Sequence, residues 1–193
     1  MTFWLRLSGL IDALNTRVGR AVSWLILVMT VVSALNAVSR KFLNASSNAF
    51  LEVQWYLFAA VFLLAAGDTL LRNGHVRIDI VFSRLSPRSR LVIELAATLL
   101  FLLPFTFFIL RYGWPYFVDS VANREISLNA GGLAVWPVKL LIPAGFALLL
   151  LQGVSQIIKV AGALAGAVPA EAVFPTHDDP AREALADADA VRR

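Results

Sequence analysis

The chain has 193 residues, of which 59% are apolar and 16% charged, with mean hydropathy +0.72 and a formal net charge of +4. A soluble domain carries roughly a quarter charged residues, so a soluble enzyme and a disordered regulator are excluded. No cysteine is present, which removes disulfides, iron–sulfur clusters and thiolate metal sites.

Residues 1–20 open the chain. Phe3, Trp4, Leu7, Leu10, Ile11, Leu14 and Val18 recur there at helical spacing, with Arg6, Asp12, Asn15 and Arg17 on the opposite side. The pattern predicts an amphipathic arm lying in the headgroup region. Four apolar runs follow, at residues 21–39, 50–71, 91–110 and 133–158. Each reaches the ~20 residues that a helix needs to cross a hydrocarbon core. Arg40 and Lys41 follow the first run as a stop-transfer flank, so that run reads as an uncleaved span and not as a signal peptide. The fold expected is therefore an all-α membrane protein with four transmembrane helices, comprising the arm at 1–20, a membrane domain at 21–168 and a disordered tail at 169–193.

Orientation follows from the basic residues. Twelve Lys and Arg fall in the N-terminal arm, the second connection and the tail, against four in the first and third connections. The positive-inside rule then places both termini in the cytoplasm. The same distribution explains the pI near 10 without a nucleic-acid partner. The third connection, residues 112–132, is expected to fold back over the outer surface. At the end of span four, Gly162 and Gly166 have the spacing of a close helix contact.

Ionisable residues inside spans are functional candidates by default. Glu52, Asp68, Glu94 and Lys139 qualify, and all lie near span ends. Asp68 with Arg72, and Glu94 with Arg90, have the i,i+4 spacing of interfacial ion pairs. Glu52 and Lys139 differ in depth by about 6 Å, so they would pair if spans two and four are neighbours. The alternatives take Lys139 to lipid phosphate and Glu52 to Arg40 or Lys41, or either one to another subunit. The two histidines, His75 and His177, both lie off the spans, which disfavours a haem-binding anchor. Nothing has the spacing of a zinc site or a nucleophilic triad, so neither an enzyme nor a cofactor is expected. Ser33, Asn36 and Ser39 form a weak polar stripe on span one, suited to helix packing or to a small oligomeric channel.

Two blocks carry a resemblance. The first runs from Glu52-Val-Gln-Trp-Tyr56-Leu-Phe through Gly67 to Asn73-Gly74-His75-Val76-Arg77-Ile78-Asp79-Ile80. The second is Glu125-Ile-Ser127-Leu-Asn129-Ala-Gly131-Gly132-Leu133, followed by Trp136-Pro137 and Ile142-Pro143-Ala-Gly145-Phe146. Together they resemble the small membrane subunit of tripartite ATP-independent periplasmic (TRAP) transporters, the DctQ-like family. The resemblance covers roughly Trp24 to Lys159. It implies a sodium-coupled importer of organic acids in a bacterial inner membrane. In such a system a periplasmic substrate-binding protein delivers solute to a large membrane subunit, beside which the small subunit sits as a scaffold in the lipid bilayer. Structural or interface roles would then fall to Glu52, Tyr56, Gly67, His75, Arg77, Asp79, Glu125, Trp136, Lys139 and Pro143. The rival readings are the anchor subunit of a membrane enzyme and the self-contained channel.

Overall fold

The computed structural model describes residues 2–42, 48–74, 85–169 and 173, and these are almost wholly helical. Helix α1 spans Thr2–Phe42, α2 Asn48–Leu64 and α3 Ala66–Leu71. Helix α4 covers Pro87–Ala97, and a π-helical turn at Thr98–Leu102 joins it to α5, Leu103–Ala122. Helix α6 covers Trp136–Leu164. Four units are long and apolar enough to cross a membrane: α1, α2 with α3, α4 with α5, and α6.

Local chemistry sets the helix ends. Ser86 caps α4 by accepting the Ser89 N–H at 3.2 Å, and Pro87 occupies the first turn, where its missing N–H costs nothing. The π turn immediately precedes Pro104, whose ring crowds the carbonyl four residues back, and the wider turn relieves that clash. At their C-termini α3, α5 and α6 each stop on a left-handed residue, Asn73, Arg124 and Gly166 respectively. At α6, Ala167 N–H returns to the Gly162 carbonyl at 2.9 Å and Gly166 N–H to Ala163 at 3.1 Å, a Schellman stop. Gly166 therefore ends a helix, and a Cβ there would meet nothing within 4 Å. The expectation that Gly162 and Gly166 form a helix contact is corrected at Gly166.

Helix α6 packs against all five others and forms the axis of the bundle. Close approach requires small residues along it. A Cβ on Gly145 would lie 2.6 Å from the Leu63 carbonyl of α2. The interior is polar and the exterior apolar. Asn15, Ser8, Thr106, Ser120, Gln152 and Ser155 are fully buried, whereas Trp55, Phe62 and Phe101 are at least 70% exposed. Lipid offers no hydrogen bonds, so polar groups turn inward to find partners while aromatic and aliphatic groups face the acyl chains.

Three boundaries differ from the sequence reading. The arm and the first span are a single helix of 41 residues, about 60 Å long at ~1.5 Å per residue. That is twice a hydrocarbon core of ~30 Å. Ser8 meets Ser155, and Asn15 meets Gln152. Seven positions on α1 thus match three on α6, so the arm crosses α6 obliquely. Of its polar side, expected to face headgroups, Asp12 and Asn15 turn onto α6, while Arg6 and Arg17 stay exposed, as do Phe3, Trp4, Leu10 and Leu14. The third span continues through Tyr112, Trp114 and Tyr116 to Ala122, so the third connection begins at Asn123 instead of Tyr112. Finally, Val173 is buried against Leu91 and Val160, so the packed body reaches beyond residue 168. The rest of the expected tail, 174–193, lies outside the described residues.

Ser33 donates to the Gln54 carbonyl oxygen on α2 at 3.0 Å, and Asn36 is buried, as packing contacts would be.

Candidate functional site at the hairpin end of the bundle

The third connection is a short hairpin, residues 123–135. Ile126 and Ala134 form an antiparallel bridge, Ser127 N–H reaches the Leu133 carbonyl at 2.9 Å, and Val135 N–H reaches Glu125 at 3.0 Å. Gly131, at φ +72°, turns the tip. The hairpin lies over the first turns of α2 because Glu52 binds its underside. One Glu52 oxygen accepts the Ser127 hydroxyl and, at 2.8 Å, the Asn129 amide; the other accepts Leu133 N–H at 2.7 Å. Tyr56, one turn deeper, donates its hydroxyl to the Ala134 carbonyl at 3.1 Å, and Asn48 donates to Ala130 at 3.2 Å.

Lys139, in the first turn of α6, forms an ion pair with Glu125 and lies 3.8 Å from the centre of the Tyr116 ring. This ties the end of α5, the hairpin and the start of α6 together, with a cation–π contact beneath the ion pair. Glu52 and Lys139 are therefore not partners. Spans two and four are neighbours, as that pairing required, but the hairpin inserts Glu125, Ser127 and Asn129 between them and supplies each with its own partner. The alternatives with Arg40, Lys41 or lipid phosphate are set aside for the same reason.

Glu125 lies outside the spans, and its hydrogen bond from Lys139 lowers its carboxyl below the ordinary 4.5. A lowered folded-state value stabilises above the unfolded value and is lost as pH falls through the folded one. The ion pair should thus contribute fully above about pH 4.5 and fade below it. The thermal stability gap between wild type and Glu125→Gln should be constant from pH 7 to 5 and close on further acidification. A gap unchanged at pH 3 would refute this account.

The other expected residues are dispersed. Trp136 begins α6 and is 41% exposed. Pro143 is buried in mid-α6, against Gly113 of α5. Gly67, in α3, faces Asn15 of α1 so closely that a Cβ would overlap the Asn15 amide oxygen. His75, Arg77 and Asp79 lie outside the described residues. Asp68 and Arg72 form the expected i,i+4 pair at 2.9 Å, and Glu94 accepts Gln156 at 3.3 Å.

A second polar cluster, at the opposite end of the bundle, went unrecognised in the sequence. Asp12 of α1 is its hub. It accepts Gln152 at 2.9 Å and Ser155 at 2.7 Å, and pairs with Lys159 at 2.7 Å. Asn15 donates to Gln152 at 2.9 Å, and Ser8 shares a 2.7 Å hydrogen bond with Ser155. The available signal was the spacing of Gln152, Ser155, Gln156 and Lys159 on α6, and of Ser8, Asp12 and Asn15 on α1. Both are polar stripes at helical period. In a soluble protein such a stripe faces water, but in a membrane it faces the bundle.

Among the described residues no group of three His, Cys, Asp or Glu could hold a metal ion. Each charge that bridges helices is used to fasten them.

The family model for the DctQ component of tripartite ATP-independent periplasmic transporters matches residues 29–162. The chain belongs to this family. No curated protein and no solved structure matches it. It is thus a multi-pass membrane component of a TRAP transporter, and the DctQ family works with a large membrane subunit and a periplasmic binding protein. The matched segment contains the hairpin, Glu52, Lys139 and most of the bundle axis, and begins after the oblique arm.

Proposed function

We propose that this DctQ-family chain is the small permease subunit of a sodium-coupled importer of organic acids or related solutes in a bacterial inner membrane. Its task is to scaffold the large transport subunit, with both its own termini in the cytoplasm. The observation that carries the scaffold reading is the distribution of polar groups. They form two separate fasteners at opposite ends of α6, and the exposed surface between them is apolar. Thr106 of α5, in the middle layer, spends its hydroxyl on its own helix, at 2.8 Å from the Leu102 carbonyl. A coupling ion or a proton would need partners at successive depths, and such sites suit the large subunit better. Selectivity for solute would rest with the large subunit and the binding protein.

Co-expression with a large TRAP membrane subunit from the same genome tests the assignment. A stable one-to-one complex, and solute uptake that is lost when the small subunit is deleted, are expected. Uptake by the large subunit alone would refute it. Orientation is tested with single cysteines in this cysteine-free chain. Ala130→Cys on the hairpin should react with a membrane-impermeant thiol reagent from the periplasm, whereas Arg88→Cys should react only after permeabilisation. Both sites are exposed and make no cap or carboxylate contact. The reverse labelling pattern would refute cytoplasmic termini.

A further inference from the structure

Beside the hairpin, between α2 and the start of α6, lies a groove of about 440 Å³, within the ~300–1,000 Å³ range of ligand-sized pockets. Its polar wall is Asn48, Glu52, Tyr56, Ser127 and Asn129. Both hydroxyls and one N–H of each asparagine amide are already committed. The Ser127 hydroxyl and an Asn129 N–H go to Glu52, the Tyr56 hydroxyl to Ala134, and an Asn48 N–H to Ala130. What remains is one N–H on each asparagine and a larger acceptor capacity: the outer lone pairs of the Glu52 carboxylate, the tyrosine oxygen and the asparagine carbonyl oxygens.

Charge points the same way. Glu52 is 92% buried and its bonded partners are all neutral. The nearby cation on α6, Lys139, is engaged by Glu125. A carboxylate taken out of water without a counter-charge leaves an electrostatic debt that a cation can settle. Trp55, 76% exposed, adds its indole to the same groove, and an indole face attracts cations. An acceptor-rich, anionic, aromatic-edged groove fits a cation that carries several donors.

We propose that this groove receives an arginine or lysine side chain from the large membrane subunit, as an anchor of the small subunit. The inference rests on the scaffold reading above and names one contact within it. The hairpin roofs Glu52, so an occupant enters sideways in the plane of the bilayer, as a neighbouring protein's side chain does. The outward-directed ammonium of a lipid headgroup fits that approach less well.

The test uses the co-expressed complex with a photoreactive benzoylphenylalanine in place of Trp55. Irradiation should give a product with the summed mass of the two subunits, and peptide mapping should place the link within one helical turn of an Arg or Lys. Trp55→Leu should leave the melting temperature of the isolated small subunit unchanged and lower the yield of complex about fivefold. Glu52→Gln should make complex yield insensitive to salt, whereas wild-type yield falls as salt rises. Links only to lipid, or to the binding protein, would overturn the proposal. So would an intact wild-type complex with no large-subunit link at position 55, and that result would leave the scaffold reading standing. Absence of any wild-type complex would sink both.

Discussion

Gly67→Ala should destabilise the protein by about 1–3 kcal/mol, the cost of overpacking a filled core. The added Cβ would overlap the Asn15 amide oxygen, and Asn15 cannot retreat. It is fully buried, and its amide nitrogen is held by the Gln152 carbonyl oxygen at 2.9 Å and the Ile11 carbonyl at 3.3 Å. The Asn15 oxygen has no conventional donor, and its close contact with the glycine backbone is of the kind in which a Cα–H acts as a weak donor. A side chain at position 67 would remove that contact and push α3 away from α1. Gly9→Ala is the control. A Cβ at Gly9 meets nothing within 4 Å, and Gly9 lies inside α1, so alanine should stabilise by about 0.5–1 kcal/mol. Melting temperatures in one detergent or nanodisc measure both variants. Equal effects of the two substitutions would refute the packing account.

Asp12→Leu should cost about 2 kcal/mol, within the ~1.5–3 kcal/mol typical of hydrogen bonds to a charged group. Three donors lose their acceptor together: Gln152, Ser155 and Lys159. The Asp12 and Lys159 side chains are 24% and 14% exposed, so Lys159 can snorkel toward the headgroups and recover part of the loss. Adding Lys159→Met to Asp12→Leu should return much of the stability. A buried ion pair replaced by apolar groups of similar size is often neutral, whereas a stranded charge is not. A double-mutant cycle read by thermal unfolding measures the coupling. Strict additivity would show that the two residues do not act as a pair. The cycle also tests the arm, because residues 2–14 meet α6 largely through Ser8 and Asp12.

The two ends of the bundle show where residue spacing suffices and where it fails. At the hairpin end, Glu52 and Lys139 stand out as ionisable residues inside spans and Tyr56 and Glu125 through the family resemblance, and the fold gathers all four around one hairpin. The expected Glu52–Lys139 pairing fails, because depth along a helix axis says nothing about what a loop places between two helices. Ser127 and Asn129 stood in the recognised block, but their role as donors to Glu52 depends on the turn at Gly131 and Gly132. At the opposite end, Gln152 and Ser155 are neutral and Asp12 and Lys159 flank the spans, so none of them stands out as an ionisable group inside a span.

Composition and run length by themselves determined that this is a four-span helical membrane protein, since ~20 apolar residues in water have no other stable place. Motif spacing by itself identified the DctQ family, because the spaced polar residues that break the apolar runs are far more specific than the runs. The tertiary structure alone decided three things. It decided that the arm and the first span are one helix, that Glu52 holds a hairpin instead of a lysine, and that Asp12 anchors the opposite end. Each depends on which polar groups meet across distant parts of the chain. In lipid such meetings are selected by hydrogen bonds that no solvent can replace, and that selection acts on facing surfaces and not on neighbours in sequence.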